Sequence, residues 1–120
     1  MNGIIDSNGR ALINVDIRRD AIAVNVEVWV DTGFTGDIVL PQPKIDALGL
    51  HRSGSVDAIL ADGSKTVYPT CTCLMDWFGD VRRLEVVANE GTYPLLGVGL
   101  LLGLELCVNY STLQLTLEVA

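Results

Sequence analysis

Apolar and polar residues alternate along several stretches of the chain, most regularly over residues 21–30. One face of this stretch carries four valines, and the opposite face carries Asn25, Glu27 and Trp29. Four β-branched residues at a period of two predict a β-strand with one buried face. Asp31 follows directly and continues the polar face. A carboxylate is therefore expected at the carboxyl end of a strand.

The same pattern predicts that most of the chain forms short strands. Alternating or short apolar runs bounded by Gly, Pro, Asn and Asp indicate them. The predicted strands are residues 12–17, 21–30, 37–40, 56–60, 66–74, 81–88, 95–96 and 113–119, with turns at 7–9, 61–65, 77–80 and 89–91. The pair Asp62-Gly63 between two alternating runs predicts a hairpin that projects beyond the body of the molecule.

Two helices are predicted between these strands. Pro41 and Pro43 are expected to end the short strand before them, because proline has no N–H to donate. Residues 44–50 then form a short helix. Residues 98–106 have the leucine content of a buried helix, although their two glycines each cost about 1 kcal/mol relative to alanine. The expected fold class is all-β in the sense of mainly β, with one or two short helices.

Composition limits what these strands can belong to. A length of 120 residues predicts a single domain that spans residues 1–120. Hydrophobic residues make up 49% of the chain, which leaves apolar surface for a partner and favours a homodimer. The net charge is −7, and no basic cluster is longer than an arginine pair. No nucleic acid and no anionic membrane is therefore expected as a partner.

Neither a targeting segment nor a membrane span is predicted. The first residues lack the basic and apolar regions of a secretory signal, so a cytoplasmic location is expected. The longest apolar run, residues 93–104, is shorter than the roughly 20 residues that cross a bilayer. This run is interpreted as a buried segment.

The cysteines give little indication of a metal site. Cys71 and Cys73 share one face of a predicted strand, while Cys107 and the single histidine, His51, are distant in sequence. These four residues could be read as a metal site, but ordinary buried thiols are the favoured interpretation. The aspartates also lack metal-ligand spacing. We expect no metal and no other cofactor.

The segment Asp31-Thr32-Gly33 carries the candidate chemistry. Gly33 lets the chain turn so that backbone N–H groups point back at the Asp31 carboxylate, and the Thr32 hydroxyl can stiffen the loop. An aspartate so held suits activation of water, which also requires a second carboxyl group as the acid. The alternative is an aspartate that ends a strand and only accepts hydrogen bonds from the turn.

Four segments, taken in order, resemble a known family. The segments are Val30-Asp31-Thr32-Gly33, Gly36 with Ile38-Val39-Leu40-Pro41, Ala61-Asp62-Gly63, and Leu95-Leu96-Gly97 before a helix. Together they cover nearly the whole chain. In these segments the sequence resembles the retropepsin-like aspartic proteases, and among them the small bacterial single-domain members. The resemblance implies a closed, β-barrel-like acid-protease half that pairs as a homodimer.

The resemblance assigns catalytic roles to three consecutive residues. Asp31 would be the catalytic aspartate, the Thr32 hydroxyl would tie two active-site loops together, and Gly33 would help to orient the carboxylates. Pepsin-like enzymes carry two such loops in a much longer chain, whereas this chain has one. A homodimer is therefore implied in which two copies of Asp31 share one proton. The implied activity is that of an aspartic endopeptidase acting on peptides or proteins.

The resemblance also assigns a substrate-binding set. The tip of the predicted hairpin would be a flap that closes over the substrate, and the turn after Asp31 and the segment beneath it would complete the pocket. The residues in this set are Phe34, Thr35, Ala61, Asp62, Gly63 and Leu96.

Two departures from the viral members restrict what the resemblance implies. Phe34-Thr35 replaces an alanine and a small polar residue, so substrate specificity does not carry over. Val98-Gly99 supplies no charged residue, so the ion pairs of the viral dimers do not carry over either. The last strand, residues 113–119, is predicted either to build a dimer sheet or to lie in the core. Two other functions stay open, a catalytically silent peptide-binding or assembly module of the same fold and a β scaffold without a site.

Overall fold

A single mixed β-sheet of ten strands, with two short helices, forms the part of the molecule described by the computed structural model, namely residues 1–89, 91 and 93–120. The strands are β1 (Asn2–Ile5), β2 (Ala11–Arg19), β3 (Ile22–Val30), β4 (Ile38–Pro41), β5 (Arg52–Ile59), β6 (Lys65–Trp77), β7 (Asp80–Asn89), β8 (Leu95–Leu96), β9 (Leu104–Asn109) and β10 (Gln114–Val119). The helices are α1 (Gln42–Leu48) and α2 (Val98–Leu101). The predicted mainly β fold class is confirmed.

The sheet returns on itself around its central strands. Its order is β5-β6-β7-β4-β8-β3-β2-β1-β10-β9, and a further antiparallel contact joins β2 to β6. In that contact Ile17 lies opposite Met75 and Arg18 opposite Leu74. The pairs β3–β8 and β4–β7 are parallel, and the others are antiparallel. Six strands are thereby closed into a ring around the core.

The alternation of the sequence accounts for the core. In β3 the valines Val26 and Val28 are completely or almost completely buried, and Glu27 between them is exposed. Val26 lies opposite Val15 of β2, whose own apolar residues are also buried. Each buried valine or isoleucine contributes about 1.5–3 kcal/mol relative to its exposed state. Burial of one face therefore fixes the register of β3, with Asp31 at its end.

Two hairpins confirm the turns predicted from glycine-containing pairs. The β5–β6 hairpin turns at Gly63, whose φ is 84°. The β6–β7 hairpin turns at Phe78 and Gly79, both with positive φ as a two-residue type I′ turn requires. Of the turn predicted at residues 89–91, Glu90 lies outside the described residues.

The first helix begins two residues earlier than predicted. Pro41 is the last residue of β4 and directly precedes the helix. Pro43 lies in the first helical turn, where backbone N–H groups have no partner within the helix, so its missing N–H costs no hydrogen bond. Gly49 ends the helix in a left-handed conformation with φ 65°. Ile45 and Leu48 are buried against the sheet.

The predicted helix over residues 98–106 is wrong. Helix α2 has four residues, and the chain then turns at Gly103, with φ 81°, into strand β9. Leu104 and Leu106 are half-buried on one face of β9, while Glu105 between them is exposed. Burial thus alternates as in a strand, although the high leucine content suggested a helix. In the described part of the chain, no helix has the length and apolar character needed to cross a membrane.

Strand β10 belongs to the core, which decides between the two predictions for residues 113–119. Leu115 and Leu117 are almost completely buried. Both backbone edges of β10 are already paired, one with β1 and the other with β9. Within the described residues β10 therefore has no unpaired backbone edge with which to extend a sheet into a partner.

The three cysteines differ in exposure. Cys71 and Cys73 are buried in β6, whereas Cys107 on β9 is exposed. No group of three or more His, Cys, Asp or Glu side chains is placed to bind a metal within residues 1–89, 91 and 93–120. Burial is the main factor that raises the pKa of Cys73 to about 12, with smaller effects from Asp37 and Cys71, and burial also raises the pKa of Cys71.

We expect one of the three thiols to react rapidly with a thiol-specific reagent at pH 8. The thiolate is the reactive species, so the two buried thiols with raised pKa values are expected to stay unmodified in the folded protein. Titration with a chromogenic disulfide reagent should give one thiol per chain, and three in denaturant. Rapid modification of Cys73 in the native state would contradict the buried placement of β6.

Candidate active site

Asp31 is held at the carboxyl end of β3 by hydrogen bonds to two segments. Its backbone N–H donates to the carbonyl of Leu96 in β8 at 2.8 Å. Its Oδ1 accepts a hydrogen bond from the N–H of Gly33, also at 2.8 Å. The side chain is half-buried. The N–H of Gly33 thus points back at the carboxylate, as predicted for this turn from the sequence.

The turn after Asp31 is closed locally and exposed at its tip. The N–H of Phe34 donates to the Asp31 carbonyl at 3.2 Å, which completes a four-residue turn. Thr32 and Gly33 are both exposed at this turn. The Thr32 hydroxyl makes no hydrogen bond within the described part of the chain. It is therefore available to a group outside the protomer.

Three backbone hydrogen bonds fix the rest of the turn against Gly97 and the first residues of α2. The N–H groups of Gly97, Val98 and Gly99 donate to the carbonyls of residues 37, 34 and 36 at 2.8, 2.8 and 2.9 Å. A Cβ on Gly97 would lie 2.3 Å from the Gly36 carbonyl oxygen, and one on Gly99 only 2.3 Å from a carboxylate oxygen of Asp37. At Gly97 the two backbones approach so closely that only glycine fits, whereas a Cβ on Gly99 would chiefly displace the Asp37 side chain.

The ring of Phe34 packs between two glycines. A Cβ on Gly36 would lie 2.5 Å from the ring, and so would a Cβ on Gly97. Phe34 is half-buried as a result. Its ring thus occupies space that side chains at positions 36 and 97 would otherwise fill. No local sequence signal pairs these three residues, since Gly97 comes from a distant segment.

Asp37 is a residue of the site that the sequence analysis did not select. Its Oδ2 accepts a hydrogen bond from the Glu85 N–H of β7 at 3.1 Å, and its backbone carbonyl accepts from Gly97. It therefore joins the turn after Asp31 to β7 and to the start of α2. The available signal was an acidic residue placed directly before a short buried strand.

Beside this turn lies a cleft of about 580 Å³. Three of the predicted site residues line it, namely Gly33, Phe34 and Thr35, together with the neighbouring Gly36. The other lining residues are Val39, Val56, Asp57, Ala58, Ile59, Tyr68, Glu85, Val87 and Asn89. The cleft is large enough for several side chains of an extended peptide. A separate depression of about 710 Å³ between α1, β6 and β7 contains none of the predicted site residues.

The predicted flap residues lie at the tip of the β5–β6 hairpin, away from the lining of the cleft. Ala61, Asp62 and Gly63 are exposed. Asp62 Oδ1 accepts hydrogen bonds from the hydroxyl and the N–H of Ser64 at 2.6 and 2.9 Å, and these bonds lower the pKa of Asp62. The strands of the hairpin, rather than its tip, reach the cleft in this structure.

Leu96 lies beneath the site rather than in the cleft. Its side chain is completely buried, and it contributes to the site the backbone carbonyl that accepts the Asp31 N–H. Leu96 was predicted to belong to the substrate pocket, but its side chain has no exposed surface that could contact a substrate.

An aromatic cluster flanks Asp31 on the same face of β3. Trp29 is 39% exposed and meets Tyr93 edge-to-face at 6.2 Å between centroids. The Arg10 guanidinium lies 4.2 Å from the Tyr93 ring centroid and is paired with Asp6 at 2.8 Å. Burial is the first cause of the raised pKa of Tyr93, followed by its hydrogen bond to Glu27. Trp77, in contrast, is a core residue that donates to the Leu100 carbonyl at 2.9 Å.

Comparison with known proteins identifies the fold through structure and not through sequence. No protein-family model matches the sequence. No curated protein matches it significantly. A retropepsin-like aspartic protease from Rickettsia conorii superposes with a TM-score of 0.68 at 18% identity, over 99% of this chain and 89% of that one. The protease of EIAV, in complex with the inhibitor HBY-793, superposes with a TM-score of 0.54 at 14% identity, over 77% of this chain and 85% of that one. This chain therefore has the fold of the retropepsin-like aspartic proteases.

Proposed function

We propose that the protein is an aspartic endopeptidase whose active site contains Asp31 from each of two protomers. The observation that carries this proposal is the placement of Asp31 at the carboxyl end of β3, in a turn whose Gly33 N–H donates to its carboxylate at 2.8 Å. The same turn lies in a retropepsin-like fold and beside a cleft. One such turn per chain supplies one carboxylate, so the second must come from a partner.

The proposed reaction divides proton transfer between the two carboxyl groups. The ionised Asp31 accepts a proton from water as the water oxygen bonds to the peptide carbonyl carbon. The partner subunit's Asp31, in its protonated form, gives its proton to the carbonyl oxygen. Asp31 then passes the proton that it took from water to the amide nitrogen, and the C–N bond breaks as one hydroxyl of the diol returns its proton to the partner subunit's Asp31. The products are a carboxylic acid and an amine, and the pair again holds one proton. The pair shares one proton because two carboxylates at this distance do not both ionise easily.

The backbone around Asp31 suits this role. Hydrogen bonds from Gly97, Val98 and Gly99 fix the turn, so little reorganisation is needed when a substrate binds. The exposed Thr32 hydroxyl has no partner within the described residues, and we assign it to the matching turn of the second protomer. Val98 and Gly99 supply no ion pair to such a dimer.

Exposed apolar side chains support the homodimer. Ile4 of β1, Leu113 before β10, Val119 of β10 and Leu102 after α2 are each half or more exposed. These elements are neighbours through the β1–β10 and β9–β10 pairings. Apolar surface of this kind is stabilised by a second copy rather than by water. The dimer would then use exposed side chains of these elements, since both edges of β10 are already paired.

Mixing of wild-type and Asp31→Asn protomers tests the shared site directly. If each active site needs both aspartates and the protomers exchange freely, an equal amount of the variant should lower the wild-type activity to about half. The assay is the cleavage rate of an unfolded protein mixture after incubation at a concentration where dimers exchange.

The control for mixing is Asp16→Asn, which removes an exposed carboxylate of β2 away from the cleft. This variant should add activity to the mixture instead of lowering it. Wild-type activity that is unaffected by the Asp31→Asn chain would contradict the shared site. Absence of cleavage by the wild type, with peptide binding retained, would favour a silent binding module of the same fold.

A further inference from the structure

The floor of the cleft is a face of β7 that carries an acidic residue, an apolar residue and an amide residue in turn. Glu85, Val87 and Asn89 are two residues apart and all line the cleft. Val39 of β4 lies directly beside Val87 in the parallel pair and extends the apolar part of this floor. An extended peptide side chain with an apolar stem can therefore pack on the two valines.

The walls of the cleft come from the turn after Asp31 and from the β5–β6 hairpin. The turn supplies Phe34 on one side. Strand β5 supplies Val56 on the other, and Tyr68 of β6 lies directly opposite Val56. A side chain that enters the cleft is thus enclosed between the turn and the β5–β6 hairpin.

The charged groups of the lining are of one sign. Asp57 and Glu85 are exposed carboxylates, and none of the lining residues is basic. Neither carboxylate makes a salt bridge or a side-chain hydrogen bond within the described part of the chain. The cleft therefore offers carboxylate acceptors to a donor that this chain does not provide.

We propose that this cleft selects peptide segments with an arginine or lysine side chain next to apolar residues. Glu85 is its specificity determinant. The apolar stem of the basic side chain packs on Val39 and Val87, and its charged end reaches the Glu85 carboxylate. Arginine fits better than lysine, because its planar guanidinium can donate two parallel hydrogen bonds to one carboxylate. The proposal rests on the proposed peptidase function, since it names the substrate class of that site.

The backbone ties this selection to the proposed catalytic centre. The N–H of Glu85 donates to Asp37 Oδ2 at 3.1 Å, and Asp37 also accepts from Gly97 beneath the turn. The floor of the cleft is therefore held at a fixed position relative to Asp31. A net charge of −7 further favours the approach of basic peptides.

Paired peptides test this inference. One peptide of each pair carries arginine, and the other carries the neutral isostere citrulline at the same position. The arginine is moved in turn through each position on both sides of an apolar scissile pair. At the position that occupies the cleft, we expect kcat/KM to be about five- to tenfold higher for the arginine peptide. We expect Glu85→Gln to reduce this ratio towards one, mainly through KM.

The matched control is Asp16→Asn, which makes the same change of charge on an exposed strand outside the cleft and should keep the ratio. Binding of the same peptides to Asp31→Asn protein, followed by fluorescence anisotropy, separates this inference from the peptidase proposal. An arginine preference in binding without any cleavage would support the cleft and contradict the peptidase. Equal binding of both peptides, or a ratio that Glu85→Gln leaves unchanged, would overturn the assignment of the cleft.

Discussion

Replacement of Asp31 by asparagine is expected to lower kcat/KM for peptide cleavage by about a thousandfold or more. Asparagine has nearly the same shape but cannot accept a proton from water or carry the shared proton. Because its Oδ1 can still accept from the Gly33 N–H, the turn is expected to keep its conformation. Steady-state cleavage of a fluorogenic peptide gives the rate, and thermal unfolding of the same samples reports whether the fold is retained.

Asp16→Asn serves as the control for this measurement, since it makes the same substitution at an exposed position of β2. We expect this control to cleave at the wild-type rate. An Asp31→Asn variant that is folded and within tenfold of the wild-type rate would show that another group performs the reaction.

Gly97→Ala is expected to destabilise the protein by about 3 kcal/mol and to abolish cleavage. The added Cβ would meet the Gly36 carbonyl oxygen at 2.3 Å, a Phe34 ring carbon at 2.5 Å and the Phe34 carbonyl oxygen at 2.6 Å. Two of these three atoms belong to the backbone, so the turn that carries Asp31 has to move. Chemical denaturation gives the change in unfolding free energy, and the peptide assay gives the loss of activity.

Gly54→Ala provides the comparison for Gly97→Ala. A Cβ at Gly54 would meet only the Thr70 hydroxyl, at 3.3 Å, and the position does not need a positive φ. We expect this variant to change stability by less than about 1 kcal/mol. A Gly97→Ala protein with the stability and activity of the wild type would disprove the close approach of the two segments.

The sequence predicts strands where burial of one face determines the structure. Strand β3 and the glycine-containing hairpin turns were predicted correctly. Burial at every second residue and a positive φ both depend on residues that are close together in the sequence. Residues 98–106 were predicted wrongly because leucine favours both a buried helix and a half-buried strand. The positive φ of Gly103, which ends α2, is a property of the folded chain that leucine content does not reveal.

The candidate site was predictable only in part, for a related reason. Placement of Asp31 at the end of a strand follows from the alternation before it. The packing of Phe34 on Gly97, the bond from Glu85 to Asp37 and the acidic cleft all join segments far apart in sequence. Such contacts depend on the closure of the sheet, and no local pattern encodes them. The role of Asp31 in catalysis stays a prediction.

The hydrogen bond from Asp31 to Leu96 has a consequence for the order in which the molecule is made. Leu96 and Gly97 follow Asp31 by more than half the length of the chain. During synthesis Asp31 is therefore made long before the segment around Leu96 to which its backbone is hydrogen-bonded. Contacts between such distant residues form late in folding. A growing chain with its first strands folded therefore has the aspartate but not the segment that supports it.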